Sequence, residues 1–236
     1  GLGDVYKRQL IKNIMKKVFS NRMNGCSLIH FSFLLAFLFL SVNAEAKVKL
    51  PSVLADNMVL QQQTDVKLWG QAQAKATLTV KTSWNNKTYK AIADNKGQWE
   101  LQIPTPQAGG PYEITFNDGE PLTLKNVLIG EVWFCSGQSN MEMRMMGNTA
   151  QPIDNSLETL LNAGNYRDRI RFITVPRIKD VQRRADFEEE KWKVSTPETT
   201  IDCSATAYFF AKQITETLNL PVGLVTVSYT HLRAHE

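Results

Sequence analysis

The sequence contains few of the residues that build metal centres and disulfide frameworks. Three cysteines and three histidines occur in 236 residues. Three cysteines are too few for a small disulfide-stapled fold. It has no Gly-rich phosphate loop, no zinc-spaced cysteine and histidine cluster, and no basic stripe with interleaved aromatic residues. Nucleotide-dependent and nucleic-acid-binding functions therefore have no support, and we predict a protein without cofactor or metal.

The positive charge of the sequence is confined to its first 46 residues. That segment holds six basic and two acidic residues, whereas the remaining residues include 21 of each sign. Because the rest of the chain is neutral, the net charge of +4 does not indicate an anionic partner. With 43% hydrophobic residues, the chain is able to bury a core and is not a disordered protein.

Residues 15–46 have the three parts of a secretory signal peptide. Met15 begins a basic stretch, an apolar run covers residues 28–42, and small residues stand at the −3 and −1 positions of a cleavage site after Ala46. A membrane anchor is the alternative, but a spanning helix needs about 20 apolar residues, and this run is shorter and interrupted by Ser32. We predict a secreted or periplasmic protein without a stable membrane anchor.

The two terminal segments of the sequence have features of non-native sequence. Residues 1–14 precede the start methionine and resemble translated adapter sequence, and residues 228–236 interrupt an apolar strand pattern without turn residues. We interpret both segments as non-native. The chain is therefore expected to be a fragment of a longer protein.

Residues 47–124 have the pattern of a small antiparallel β-sandwich. Short runs alternate apolar and polar residues with period two, which buries one face of each strand. The runs cover residues 66–69, 77–80, 89–93, 99–103 and 112–116. Turns containing Asn and Gly separate several of them.

From residue 125 the pattern changes to strands alternating with helices. The expected strands cover residues 127–134, 171–175 and 222–227, and the expected helices cover residues 156–163 and a stretch that Ser204 opens. The run 127–134 is mostly apolar and is predicted to be a buried strand. This order predicts that residues 125–227 form the opening part of a parallel α/β sheet.

Ser139 is the strongest candidate for a catalytic residue, because it follows the first of these strands in the run CSGQSNME. Ligands bind beyond the carboxyl ends of parallel strands, and Gly137 allows a sharp turn that would present the Ser139 hydroxyl as a nucleophile. The run is not the G-x-S-x-G elbow, since Met141 replaces the last glycine. Ser139 and Glu142 also have the spacing of a capping box, and spacing alone favours capping.

The run VWFCSGQSNME at residues 132–142 resembles the first block of the sialate O-acetylesterase family, in the SGNH (GDSL-like) hydrolase clan. Other runs occur in the family's order: LPSVLADNMVLQ (50–61), VKLWG (66–70), GGPY (109–112), STPET (195–199), SATAYFF (204–210) and LPVGL (220–224). The resemblance covers residues 50–227. It implies an SGNH-type α/β domain with a flavodoxin-like parallel sheet, preceded by the β-sandwich.

The resemblance also implies a reaction. Ser139 would attack the carbonyl of an acetyl ester on a sugar hydroxyl and form an acetyl-enzyme, with its backbone N–H in the oxyanion hole. The resemblance also assigns Gln138, Asn140 and Glu142 to the substrate or oxyanion site, although charge at a helix N-terminus explains Glu142 equally well. The expected partner is an O-acetylated sugar such as sialic acid. The alternatives are an acetylxylan-type polysaccharide esterase and a non-catalytic sugar-binding β-sandwich.

A general base for Ser139 is missing from the body of the sequence, because residues 47–227 contain no histidine. The family's glycine pair is expected just after residue 228, where YTH stands instead, and its Asn and Asp-x-x-His blocks are expected later. The chain as given is therefore expected to be an inactive serine acetylesterase. His231 and His235 have the spacing of a metal pair on a helix, but no third ligand is nearby.

Two smaller groups of residues each allow two interpretations. Cys135 and Cys203 could pair in an oxidising compartment, but we favour two separate core residues. Trp69, Trp84 and Trp99 could form a face that stacks on sugars, but we favour packing in the core of the sandwich.

Overall fold

The structure is a computed structural model that describes Lys12 and residues 48–176, 186–187 and 190–228. The predicted signal peptide lies outside these residues, as do all three histidines and, apart from Lys12 and Ser228, the two segments interpreted as non-native. The description below concerns the compact unit Ala46–Glu236.

Ten strands within the described residues form two sheets. Their bounds are β1 (Val59–Gln61), β2 (Asp65–Gln71), β3 (Thr77–Thr82), β4 (Thr88–Ile92), β5 (Gln98–Pro104), β6 (Gly109–Asn117), β7 (Pro121–Gly137), β8 (Ile170–Val175), β9 (Lys193–Val194) and β10 (Val222–Ser228). The main sheet has the order β4-β3-β6-β7-β10-β8-β9, with β1 also paired to β7. Strands β2 and β5 form a separate antiparallel pair.

The helices are short except for the last. They are α1 (Ser139–Glu142), α2 (Ser156–Leu161), α3 (Pro197–Thr200) and α4 (Ala205–Leu218), with a 3-10 helix at Ala163–Tyr166. The predicted helix 156–163 ends two residues early, and Ser204 caps α4 as predicted, accepting from the Ala207 N–H at 3.5 Å. No helix in the described part of the chain combines the length and apolar character needed to cross a membrane.

The antiparallel part packs its two sheets face to face. Strand β3 pairs with β4 and β6, β6 pairs with the first half of β7, and β2 pairs with β5. Leu68 of β2, Ile103 of β5 and Phe116 of β6 are all fully buried in one hydrophobic core. Because burial alternates along the strands as period two requires, the predicted antiparallel strands are confirmed.

The second part is a parallel sheet with helices against one face. Strand β10 runs parallel to β7 on one side and to β8 on the other. Ala207, Tyr208 and Ala211 of α4 share a buried cluster with Phe172 of β8 and Leu224 of β10. The predicted parallel strands are therefore confirmed.

The order of these strands differs from the flavodoxin-like order that the resemblance implies. In a flavodoxin-like sheet the first strand lies between the second and the third. Here the third strand, β10, lies between β7 and β8. Apolar patterning predicts each strand. It does not predict which strands pair with it, because backbone hydrogen bonding is nearly independent of sequence.

Strand β7 is longer than the sequence predicts and passes through the predicted domain boundary. It has 17 residues, and its first half pairs antiparallel with β6 while its second half pairs parallel with β10. One strand therefore contributes to both parts of the main sheet. The division into residues 47–124 and 125–227 stays a prediction.

The predicted burial of residues 127–134 is wrong at the C-terminal end of that run. Val127 and Ile129 are fully buried, but Trp133 is 43% exposed and Phe134 is 68% exposed. Among the described residues, only β10 pairs with β7 beyond Gly130. The other edge of this stretch therefore has no described strand beside it, and the two aromatic rings remain open to solvent.

The three tryptophans of the antiparallel part fall into two groups. Trp99 is 4% exposed and packs on Phe116, with ring centroids 5.8 Å apart, and Trp84 meets Tyr112 edge to face at 5.7 Å. Core packing is confirmed for these two. It is wrong for Trp69, which is 39% exposed.

Backbone packing at Gly130 leaves no room for a side chain. A Cβ atom there would lie 2.0 Å from the carbonyl oxygen of Pro221. The same oxygen accepts a hydrogen bond from the Glu131 N–H at 2.9 Å, and the Gly130 carbonyl accepts one from the Gln62 N–H at 2.8 Å. Hydrogen bonds therefore hold the backbone of β7 against Pro221 on one side and Gln62 on the other, and a Cβ at Gly130 would push Pro221 away.

Gly130→Ala should destabilise the fold. Backbone, and not a flexible side chain, has to move, so we expect the free energy of unfolding to fall by about 1–3 kcal/mol, as in overpacked cores. Gly164→Ala is the matched control, because no atom lies within 4 Å of the added Cβ, and it should change stability by less than about 1 kcal/mol. Urea denaturation measures both, and equal stability of the two variants would contradict the constraint at Gly130.

Candidate active site

Ser139 lies just beyond the carboxyl end of β7 and beside the carboxyl end of β10. The strand register pairs Gly137 of β7 with Ser228 of β10, and the Ser228 hydroxyl donates a hydrogen bond to the Gln138 carbonyl at 3.3 Å. The carboxyl ends of parallel strands are where open α/β sheets bind their ligands. Ser139 therefore has the position in the sheet that a catalytic group requires.

The chain turns at Gln138, so that Ser139 is the first residue of α1 and not its cap. Gln138 is the N-cap, with φ −99° and ψ −128°, and its side chain makes no capping bond. The N–H groups of Met141 and Glu142 both donate to the Gln138 carbonyl at 3.0 Å. The capping-box alternative is therefore wrong, because β7 continues to Gly137 and moves the cap one residue ahead of Ser139.

The Ser139 side chain is exposed. Within the described part of the chain its hydroxyl makes no hydrogen bond. A hydroxyl used as a helix cap would have its lone pair directed at a backbone N–H, whereas an uncommitted hydroxyl can approach an electrophile. The geometry thus leaves Ser139 available as a nucleophile.

An open cavity of about 610 Å³ borders Ser139. Two residues of α1 and seven residues of the loop that follows line it: Ser139, Glu142, Met143, Arg144, Met146, Gly147, Asn148, Thr149 and Gln151. Most of these residues offer polar groups, and the volume is within the range of small-molecule sites. The cavity is therefore suited to a small polar ligand next to the hydroxyl.

The loop that forms the cavity wall is fixed to the segment before α4. The Met145 N–H donates to the Cys203 carbonyl at 2.9 Å, the Met146 N–H donates to the Ile201 carbonyl at 3.1 Å, and the Ala205 N–H donates to the Met143 carbonyl at 2.8 Å. These bonds hold the wall at the carboxyl end of the parallel sheet.

An ion pair adds a charged contact to this wall. Arg144 Nη1 lies 3.2 Å from Asp202 Oδ1, and both side chains are more than half exposed. Sequence reasoning missed this pair. The two residues are 58 positions apart, and no spacing rule links positions so distant.

Two of the four predicted site residues line the cavity. Ser139 and Glu142 do so, whereas Gln138 and Asn140 are absent from its lining. The Gln138 carbonyl holds the first turn of α1, and the Asn140 carbonyl accepts from the Thr206 hydroxyl at 3.2 Å. Their main chains therefore position α1, and the assignment of their exposed side chains to the substrate or oxyanion site stays a prediction.

The described residues contain neither a histidine near Ser139 nor a cluster able to hold a metal. His30, His231 and His235 all lie outside them, and so does the spacing of the last two that was considered for a metal pair. Across residues 48–176, 186–187 and 190–228, no group of three His, Cys, Asp or Glu residues has metal-binding geometry.

Comparison with known proteins gives consistent results. No family model matches the chain. Human sialate O-acetylesterase is 28% identical over 195 residues, covering 75% of this chain and 36% of that protein, and the rat enzyme is 30% identical over 195 residues, covering 75% and 35%. The crystal structure of a carbohydrate acetylesterase from Xanthomonas citri matches with a TM-score of 0.70 and 31% identity, over 77% of this chain and 41% of that one.

The chain is a distant homologue of the sialate O-acetylesterases. The resemblance drawn from the motifs is thereby confirmed. The chain spans about a third of the length of the curated relatives that it matches.

In this sialate O-acetylesterase homologue, Cys135 and Cys203 are both free thiols, in agreement with the favoured interpretation. Cys203 is fully buried, and burial raises the pKa of its thiol because the thiolate would lose its hydration. Cys135, on β7, is half-buried, and burial raises the pKa of its thiol as well.

Thiol labelling should separate the two cysteines. The thiolate is the reactive form, so a raised pKa slows alkylation at pH 8, and burial adds a barrier to access. We expect iodoacetamide to label native Cys203 at least about tenfold more slowly than Cys135, and both to react alike in urea. Peptide mass spectrometry resolves each cysteine, with Cys26 on its own peptide, and similar native rates would contradict the burial of Cys203.

Proposed function

We propose that Ser139 is the nucleophile of a carbohydrate O-acetylesterase. The observation that carries the proposal is the exposed, uncommitted Ser139 hydroxyl at the carboxyl end of β7, opening onto a polar cavity. Homology to the sialate O-acetylesterases and similarity to a carbohydrate acetylesterase support a hydrolase acting on acetyl esters of sugars.

In the proposed reaction the Ser139 oxygen attacks the acetyl carbonyl carbon. Its proton passes to a general base, and hydrogen-bond donors stabilise the negative charge that develops on the carbonyl oxygen. The ester C–O bond then breaks, and the sugar oxygen leaves with the proton. Water hydrolyses the acetyl-enzyme, which releases acetate and restores the serine hydroxyl.

This mechanism needs a general base, and residues 47–227 contain no histidine that could serve as one. A histidine base therefore has to come from outside that range. We accordingly propose that the 236-residue chain by itself is inactive, because an unassisted serine hydroxyl is a weak nucleophile.

The proposed substrate class is an O-acetylated sugar. Sialic acid is the sugar in the name of the curated relatives, and acetylated plant polysaccharide is the alternative within the same chemistry. Export directed by residues 15–46 would bring the enzyme to such glycans outside the cytoplasm. Both substrates belong in the assay, since the residues that select the sugar are not assigned.

Ser139→Ala should abolish esterase activity. The test expresses the longest natural reading frame that contains residues 47–227 and follows acetate release from O-acetylated sialic acid and from acetylated xylan. We expect kcat/KM to fall at least about a thousandfold on the substrate that the enzyme uses, as for other serine nucleophiles.

The matched control is Ser136→Ala, an exposed serine near the end of β7 and three residues before Ser139. It should retain activity within about threefold, because its oxygen is not the attacking group. Acetate release that is equal in the Ser139→Ala variant and the parent protein would refute the proposed nucleophile.

A further inference from the structure

The outer face of the β2–β5 pair displays an aromatic ring among polar side chains. Leu68 points into the core, so its neighbours Lys67 and Trp69 lie on the opposite face, and the register places Glu100 beside Trp69. Gln71 and Gln98 follow as the next cross-strand pair on this face. Apart from Trp69, this face is polar.

A groove of about 940 Å³ runs along this face. Trp69, Gln71 and Gln98 belong to its lining, together with Ile92 and the segment of residues 49–51. Ile92 is 73% exposed and Trp69 is 39% exposed. Two large apolar side chains are thus open to water in a concave site that is separate from the Ser139 cavity, and neither contributes to the proposed esterase chemistry.

Most charged side chains around the groove already have partners within the protein. Lys67 pairs with Glu100 at 3.0 Å, and the Asp94 carboxylate accepts from two backbone N–H groups at 2.7 and 2.9 Å. Asp186 accepts from the Ser52 N–H and hydroxyl at 3.0 Å. Lys49 also lines the groove and makes no ion pair among the described residues. With two lysines and three carboxylates in its lining, the groove has no excess of positive charge to attract an anionic ligand.

Two amide side chains in the groove do remain available. Gln71 and Gln98 line it, and their side chains make no hydrogen bond within the described part of the chain. An amide offers both a donor and an acceptor, which is what a sugar hydroxyl requires. Each lies two residues along its strand from Trp69 or Glu100, on the same face of the pair.

We propose that this groove binds a neutral glycan chain, with Trp69 stacked on the face of a pyranose ring. The C–H face of a pyranose is apolar and flat, so an exposed indole ring covers it, while Gln71 and Gln98 hydrogen-bond to its hydroxyls. The groove recognises the polymer that carries the acetyl groups and not the acetyl ester itself. The binding is therefore independent of Ser139.

The test is calorimetric titration of the 236-residue protein with unacetylated oligosaccharides. The neutral probes are xylohexaose, cellohexaose and mannohexaose, and 3′-sialyllactose is the anionic probe. We expect saturable binding of at least one neutral hexasaccharide and at least about tenfold weaker binding by Trp69→Ala, the size of effect that a central aromatic contact has.

Two further variants separate ring stacking from loss of structure. Trp69→Phe keeps an aromatic face and should bind within about threefold of the parent. Trp133→Ala is the matched control, because Trp133 has a similar exposure of 43% on β7 and does not line the groove. It should bind like the parent, and the far-ultraviolet circular dichroism of all variants should be unchanged.

Each contrary result overturns the proposal in a defined way. Failure of all three neutral probes to bind excludes a neutral-glycan groove, and undiminished binding by Trp69→Ala excludes Trp69 as the contact. Preference for 3′-sialyllactose would overturn the assignment to neutral sugars. Because the probes carry no acetyl group, Ser139→Ala should bind them normally, so these outcomes are distinct from a failure of the proposed esterase function.

Discussion

At Gly130, strand β7 exchanges its antiparallel neighbour for a parallel one, and the carbonyl oxygen of Pro221 occupies the space that a side chain would need. The next residue, Glu131, secures this junction. Its carboxylate accepts hydrogen bonds from the side-chain amides of Gln61 and Gln62 at 3.0 and 2.8 Å. The Gln61 side-chain oxygen in turn accepts from the Val132 N–H at 2.8 Å. The polar groups at the change of partners are thus satisfied by one another.

The junction determines where the candidate nucleophile stands. From Glu131 onward β7 and β10 pair residue by residue, ending with Gly137 opposite Ser228. A slip of one residue would move every side chain of β7 to the other face. It would also displace the turn at Gln138 relative to the end of β10. The position of Ser139 therefore depends on close backbone packing nine residues earlier in the chain, at Gly130.

How far the sequence predicts the fold depends on whether a feature is local. Period-two alternation around Leu68 and Leu78 predicts the antiparallel strands, and the Ser204 cap predicts the start of α4, because both are set by nearby residues. The placement of β10 between β7 and β8 depends on contacts between distant segments, and no local pattern contains it.

The candidate site divides in the same way. The strand-to-turn pattern before Ser139 predicts its place at the sheet edge. Whether it acts as a cap depends on where β7 ends, and the apolar pattern stops at Phe134 although backbone pairing with β10 continues to Gly137. The exposure of Trp133 and Phe134 could not be predicted either. Apolar residues in a strand predict burial, but they do not show which neighbouring elements are present to bury them.

The wall of the Ser139 cavity shows which forces hold the site. The Arg144–Asp202 ion pair is its most visible contact, but both side chains are more than half exposed, and such surface pairs contribute about 0–1 kcal/mol. Met145, the next residue of the wall, is fully buried, and burial of a side chain of this size contributes about 1.5–3 kcal/mol. The three backbone hydrogen bonds to residues 201–205 add about 0.5–1.5 kcal/mol each. The wall therefore depends mainly on buried apolar surface and main-chain bonds, and the Arg144–Asp202 ion pair contributes little to holding it in place.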